Sequence, residues 1–339
     1  MHNSAPILII HQGALGDLIL SLPALYSLRL FYGQAPWTMA GNVETLSLLH
    51  RRFYAQEIVS IHQKEWAYLF QEETSVPDQF RRYLSSFQKA FIFSVRKPQI
   101  LIQGLFRLGL LSVSWIPSLP DVRGNLSLQS RQQKTLAQMG IPWAESEKTI
   151  FPALEDLRKA REYLSLNPRI EEKLPLWAIH PGSGSSHKNW PVGRFIEVAQ
   201  ELQSQKQVQP IFLIGPVEQE SPQGIAKTIE ARDFPVIRDL SLPILAGVLS
   251  HCSGYLGNDS GISHLAAALG IATVILFGPS DPSLWGPEGK TVRILSPSIL
   301  CAPCSREIMQ LCPQKECLLS LTVEQVLGAI GSKINGHSW

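Results

Sequence analysis

No Asp-x-Asp pair occurs anywhere in this chain, no apolar run is long and clean enough to cross a bilayer, and neither sign of charge prevails. The first absence removes the paired carboxylates that would hold a divalent cation against a diphosphate. The second follows from interruptions. His11, Gln12 and Asp17 break up the apolar segment at Pro6 to Ile10, which has no basic residue before it, so neither a signal peptide nor a membrane span is expected there. Gln103 and Arg107 divide the stretch from Ile100 to Ile116 in the same way. A net charge of +2 gives no electrostatic footprint for nucleic acid. Residues 1–165 carry a slight basic excess, a weak pointer to an anionic acceptor or a membrane surface.

Charged residues make up only 17% of the chain and hydrophobic ones 45%, the balance of a globular protein with large buried sheets and little disorder. At 339 residues there is room for two domains.

The most informative stretch is Gly257 to Gly270, GNDSGISHLAAALG, set between an apolar segment ending at Tyr255 and Leu256 and the run ATVILF at Ala272 to Phe277. Asn258, Asp259 and Ser260 are all good helix N-caps, and Gly261 lets a ligand approach the first turn. A helix start of this composition is either an anion site or only a well-capped helix between two buried strands. His264 falls one turn after Ser260, on the same face, where a histidine packs or caps more often than it catalyses.

Elsewhere strands and helices alternate. ILII at Ile7 to Ile10 reads as a parallel strand buried on both faces, followed by the loop HQGALGD and a helix through Leu18, Leu22, Leu25 and Leu28, kinked at Pro23. Asp17 opens that helix as a cap or as a base. Further strands are expected at Trp37–Ala40, Glu57–Ile61, Ala90–Val95, Leu176–Ile179, Pro210–Ile214 and Val236–Leu240. Helices are expected at 43–49, 78–85, 129–139, 154–166, 194–203, 218–231 and 244–251, while Lys97 to Pro120 reads as an apolar and loop mixture facing a cleft or a partner.

This alternation predicts an α/β protein of two Rossmann-like, doubly wound parallel-sheet domains facing across a cleft. The domains are 1–165 and 175–320, with a proline-marked linker at 166–174 and a C-terminal helix at 321–339. Ligands of such sheets sit at the carboxyl ends of the strands. Those ends carry HPGSGSSHKNWP, with Ser183, Gly184 and Lys188, and IGPVEQE, with Glu218. Small residues admit a diphosphate to backbone N–H groups and a lysine adds a point charge, although a lysine in a loop is often only surface. Glu218 suits a ribose, or equally the positive end of a helix.

Five segments in order make the chain similar to the heptosyltransferases, glycosyltransferase family 9, of GT-B fold. They are GALGDLILSLPAL (13–25), LAQMGIP (136–142), HPGSGSSHKNWPVGRFIEVAQEL (180–202), GNDSGISHLAAALG (257–270) and FGPSDPSLWGP (277–287). The resemblance implies inverting transfer of a heptose from ADP-heptose to an acceptor hydroxyl of the lipopolysaccharide inner core. It implies Asp17 as the base that deprotonates the acceptor, in an acceptor-side loop with Gly13 and Gly16. Lys188 would stabilise the leaving diphosphate, Ser183 and Gly184 would join it at the donor, and Asp259, Ser260, Gly261 and His264 would form the donor motif. Glu218 would hold the ribose, with Glu220 as a competitor.

Ser260 departs from the threonine usual in the family, as Ile262 and Ser263 do from a frequent Pro-Met, which leaves sugar preference open. The alternatives are a family member with another nucleotide sugar or acceptor, a sugar-nucleotide epimerase of related fold, and a non-catalytic sugar-nucleotide-binding homologue. The resemblance requires no cofactor, and lysine and a helix N-terminus replace a metal. The implied partners are the nucleotide sugar and a lipid A-core or other lipid-linked glycan, met in the cytoplasm with peripheral contact at the inner membrane.

Of five cysteines, Cys301, Cys304, Cys312 and Cys317 follow C-x2-C-x7-C-x4-C, either a structural zinc site or a reduced packed loop. Cys252 is expected in a helix, in the core.

Overall fold

The computed structural model describes residues 5–70, 76–171, 173–205, 208–220 and 224–334. The chain divides into two compact units between Phe151 and Pro152. The first holds five parallel strands, β1 (Ile7–His11), β2 (Trp37–Gly41), β3 (Glu57–Ser60), β4 (Lys89–Ser94) and β5 (Ser112–Pro117), in the order β3-β2-β1-β4-β5. The order reverses between β1 and β4, where Ile7 to His11 pair with Lys89 to Phe93. Every residue of β1 is buried, as a strand covered by helices on both faces requires.

Pro23 does more than kink the first helix. The segment is two helices, Leu15–Leu20 and Leu22–Tyr32, with Ser21 ending one and opening the other. Proline at the second position of the new helix lacks only an N–H that has no intrahelical acceptor there. The stretch 97–120 resolves into the helix Gln99–Arg107 and the edge strand β5.

The second unit has six parallel strands, β6 (Leu176–His180), β7 (Gln209–Ile214), β8 (Val236–Arg238), β9 (Cys252–Asn258), β10 (Ala272–Leu276) and β11 (Val292–Leu295), ordered β11-β10-β9-β6-β7-β8. Here the reversal lies between β6 and β9, with His180 paired to Gly257, so the loops leaving these two strands are neighbours at the place where such sheets bind ligands.

The helix Leu154–Ser165 belongs to this second unit, ahead of the proline-marked segment 166–174. It packs on the helix Leu242–Ser250, where Gly247 lies so near the Asp156 carbonyl and the Ala160 side chain that a β-carbon would sit 2.6 and 2.9 Å from them. The helix expected over 218–231 is two, Pro216–Gln219 and Ile225–Glu230, the second opening after Gly224 at φ +64°. The C-terminal helix is described as Val323–Ile334, and the expected residues 335–339 lie outside the described ones. Cys252 is buried as expected but begins β9 rather than lying in a helix, and burial pushes its thiol up to about 12.

Candidate functional site

The donor-side candidates converge in the second unit on the ends of β6 and β9. Asn258, the last residue of β9 and fully buried, ties the two loops together. Its Nδ2 donates to the Pro181 carbonyl at 2.8 Å and its Oδ1 accepts from the Trp190 N–H at 2.9 Å, which pins both ends of the glycine and serine loop. Inside that loop the Ser183 hydroxyl donates to Asn189 Oδ1 at 2.6 Å or to the Ser185 carbonyl at 2.7 Å. A β-carbon at Gly184 would meet nothing within 4 Å.

Ser260 is the N-cap of the helix Gly261–Ala268, its hydroxyl accepting from the Ser263 N–H at 3.3 Å and lying 3.1 Å from the Ser263 hydroxyl. Ser263 in turn donates to the Asn258 carbonyl and sits 2.9 Å from the Tyr255 hydroxyl. The hydroxyl side of this turn is therefore engaged inward in capping, and Gly261 presents the first turn without a side chain.

Beside the cap, Lys188 Nζ lies 2.6 Å from Asp259 Oδ2, and His264 Nε2 lies 3.7 Å from Asp259 Oδ1. Burial opposes ionisation of Asp259. The adjacent His264 imidazole and the Lys188 charge outweigh it and hold the carboxyl well below the usual carboxylate range. The Lys188 side chain keeps 29% of its surface exposed, so this cation stays within reach of a ligand.

Glu218 reaches the same loop from β7. Its carboxylate accepts from the Gly215 N–H at 2.8 Å, lies 3.5 Å from His180 Nε2, and rests on Gly182, where a β-carbon would overlap it. Burial again disfavours the charge, and the hydrogen bond and charge of His180 with the Gly215 N–H bring the carboxyl below its ordinary value. Glu220, its competitor, ends the same short helix and is exposed.

In the first unit, Gly13 lies in the loop after β1, and Gly16 and Asp17 lie in the first turn of the helix Leu15–Leu20. Asp17 Oδ2 accepts from the Ala14 N–H at 3.1 Å, the capping role open to it from sequence. A β-carbon at Gly13 would lie 2.5 Å from the Asp17 Cβ and 2.9 Å from His11 Cε1, so glycine is what lets the loop fold over this carboxylate. His11 Nδ1 accepts from the Gly13 N–H at 3.2 Å, while its Nε2 has no hydrogen-bond partner among the described residues.

Sequence reasoning missed three of these residues. His11 and His180 end β1 and β6 as buried histidines, and Asn258, expected among the caps, serves as the tie between loops. A buried polar residue closing an all-apolar strand was the available signal.

The four cysteines of the segment lie near one another, with burial first and then the neighbouring thiols pushing Cys304 and Cys317 up. Cys301 is exposed, Cys304 and Cys312 are half-buried, and Cys317 belongs to the apolar cluster of the second unit. Among the described residues no group of three or more His, Cys, Asp or Glu side chains is placed to hold a metal ion. The segment instead supports the loop beside it, with Lys315 Nζ donating to the Ser186 carbonyl at 2.7 Å and the Cys304 N–H to the Pro279 carbonyl at 2.8 Å.

Two doubly wound parallel sheets, the second with a lysine, a buried aspartate and a capped helix start at its switch point, make up a GT-B fold. The sequence profile described as glycosyltransferase family 9 (heptosyltransferase) matches residues 87–314, and the chain belongs to that family. It is 22% identical over 328 residues to a lipooligosaccharide heptosyltransferase 2 of Campylobacter jejuni, an alignment covering 93% of this chain and 95% of the relative. Among solved structures it is similar to a family 9 glycosyltransferase from Veillonella parvula (TM-score 0.78, 19% identity, 99% and 98% of the two chains covered). It is also similar to the Escherichia coli ADP-heptose lps heptosyltransferase II (TM-score 0.71, 16% identity, 97% and 98% covered).

Proposed function

We propose that this glycosyltransferase moves a heptose, with inversion, from ADP-heptose to an acceptor hydroxyl of a lipopolysaccharide inner core. The observation that carries the reading is the Lys188–Asp259 pair at 2.6 Å beside the capped start of the helix Gly261–Ala268. Negative charge develops on the diphosphate as the anomeric C–O bond breaks, and groups aimed at that charge lower the barrier most. Lys188 and the N–H groups at Ser260 and Gly261 are such groups. Asp259, ionised and oriented by His264, faces the sugar. The backbone at Ser183 and Gly184 approaches the diphosphate, and Glu218 Oε1 reads a ribose hydroxyl while Oε2 stays with Gly215 and His180.

On the acceptor side, Asp17 takes the proton of the attacking hydroxyl as its oxygen forms the new bond to the anomeric carbon. This carboxylate sits in the first turn of the helix Leu15–Leu20, and the hydroxyl must be held close to it. Gly13 and Gly16 give the acceptor access to that turn. A lipid-linked acceptor places the reaction at the cytoplasmic face of the inner membrane.

The test is ADP release and product formation from ADP-heptose and a heptose-deficient core acceptor, comparing wild type with Asp17→Ala. Transfer is expected to vanish in the variant while ADP affinity stays within a few-fold. Turnover near the wild-type rate would remove Asp17 from the role.

A further inference from the structure

Between Asp78 and Asp121 the chain carries no acidic residue and six basic ones, Arg81, Arg82, Lys89, Arg96, Lys97 and Arg107. All but Lys89 are exposed. This region builds the helix Asp78–Ser85, β4, the helix Gln99–Arg107 and β5. Both helices bury their inward residues, Phe80 and Leu84 from one and Leu101, Ile102 and Leu105 from the other, in a single cluster with Leu8, Ile10 and Ile92. They therefore cover the same face of the first sheet.

On the outward side of the helix Gln99–Arg107, Ile100 is 60% exposed and Phe106 47%, while Val95, also exposed, follows the end of β4 and the exposed Leu111 precedes β5 at the other end of the sheet. At 100° per residue Ile100, Gln103, Phe106 and Arg107 fall in one outward sector of their helix, opposite Leu101, Ile102 and Leu105. Exposed apolar side chains among these basic residues, with Glu65 of the adjoining turn Lys64–Phe70 as an acidic group beside them, match a surface that is apolar below and negatively charged above.

We infer that the outward face of these two helices is a docking surface for an anionic lipid bilayer, with Ile100 and Phe106 entering the interface and Arg81, Arg82, Arg96, Lys97 and Arg107 meeting the headgroups. A contact made by exposed charges and two apolar side chains is reversible and salt-sensitive. Duplex DNA would satisfy the charge but leave Ile100 and Phe106 in water. The inference extends the lipid-linked acceptor proposed above, because a bilayer held by the first unit brings such an acceptor to Asp17.

Sedimentation of the full chain with vesicles of phosphatidylcholine, alone or mixed with phosphatidylglycerol, tests it. Binding is expected to the mixed vesicles only, weakening as salt is raised. Arg96→Gln with Lys97→Gln should bind about thirty-fold more weakly, at roughly fivefold per basic residue near the surface. Ile100→Ser with Phe106→Ser should bind about tenfold more weakly or worse. Unchanged ADP binding by both double variants shows that they are folded. Failure of the wild type to bind mixed vesicles, full binding by both variants, or binding to duplex DNA as tight as to vesicles would overturn the inference. Vesicle binding by a chain that fails to bind ADP would reject the transferase reading and leave this surface standing.

Discussion

The backbone of Gly182 lies against the Glu218 carboxylate, so close that a β-carbon at position 182 would overlap the carboxyl carbon and Oε1. Gly184, two residues on, has open space where its β-carbon would be. Gly182→Ala should therefore lower stability by about 1–3 kcal/mol, as overpacking against a buried, tethered side chain does, and should weaken ADP binding by displacing Glu218. Gly184→Ala should leave the urea midpoint unchanged and still weaken ADP binding, because the donor's approach to the backbone is obstructed. Equal midpoints for the two variants would show that the loop yields at Gly182.

Asp17 has two separable jobs. Asp17→Asn keeps an oxygen to accept from the Ala14 N–H and loses the ability to take a proton. We expect it to unfold near wild type and to lose about 10²- to 10⁴-fold in kcat, whereas Asp17→Ala should also lose about 0.5–2 kcal/mol with the cap. Asn at wild-type kcat would reduce Asp17 to capping.

His11 makes the first unit acid-sensitive. Burial pushes this imidazole down to about 4, so between pH 6.5 and 4 the unfolded chain takes up a proton that the folded chain refuses. Stability then falls as pH falls through that window, by about 2 kcal/mol between pH 7.5 and pH 5. Urea titrations at the two pH values, with His11→Gln as control, read it directly. A wild-type midpoint that shifts no more than that of His11→Gln would assign the sensitivity elsewhere.

How much of this is visible in the sequence depends on how local the cause is. The apolar runs of β1 and β10, the cap at Ser260 and the one-turn spacing to His264 are properties of short segments, and they were legible. The edge strands β5 and β11 were not, because their residues are largely half-buried and lack a continuous apolar run. The helix Gln99–Arg107 was hidden by apolar residues on its exposed side. The helix Leu154–Ser165 looks like the end of the first half until Gly247, some ninety residues later, is seen to receive it.

In the site, the fold brings Lys188 and His264 to Asp259. The pairing of His180 with Glu218, and the use of Asn258 to tie two loops, arise from strand order, which no short motif states. The cysteine spacing left a zinc site and a reduced packed loop both open, and the fold places Cys317 in the apolar core.

Lys188 and the turn at Ser260 are expected to hold the diphosphate of an adenine nucleotide sugar. Calorimetric titration with ADP, UDP, GDP and CDP, repeated on Lys188→Ala, measures this. ADP should bind in preference to the others, and about tenfold or more weakly once the charge-assisted contact is removed. Binding of none of the four, or ADP affinity unchanged by Lys188→Ala, would contradict that expectation.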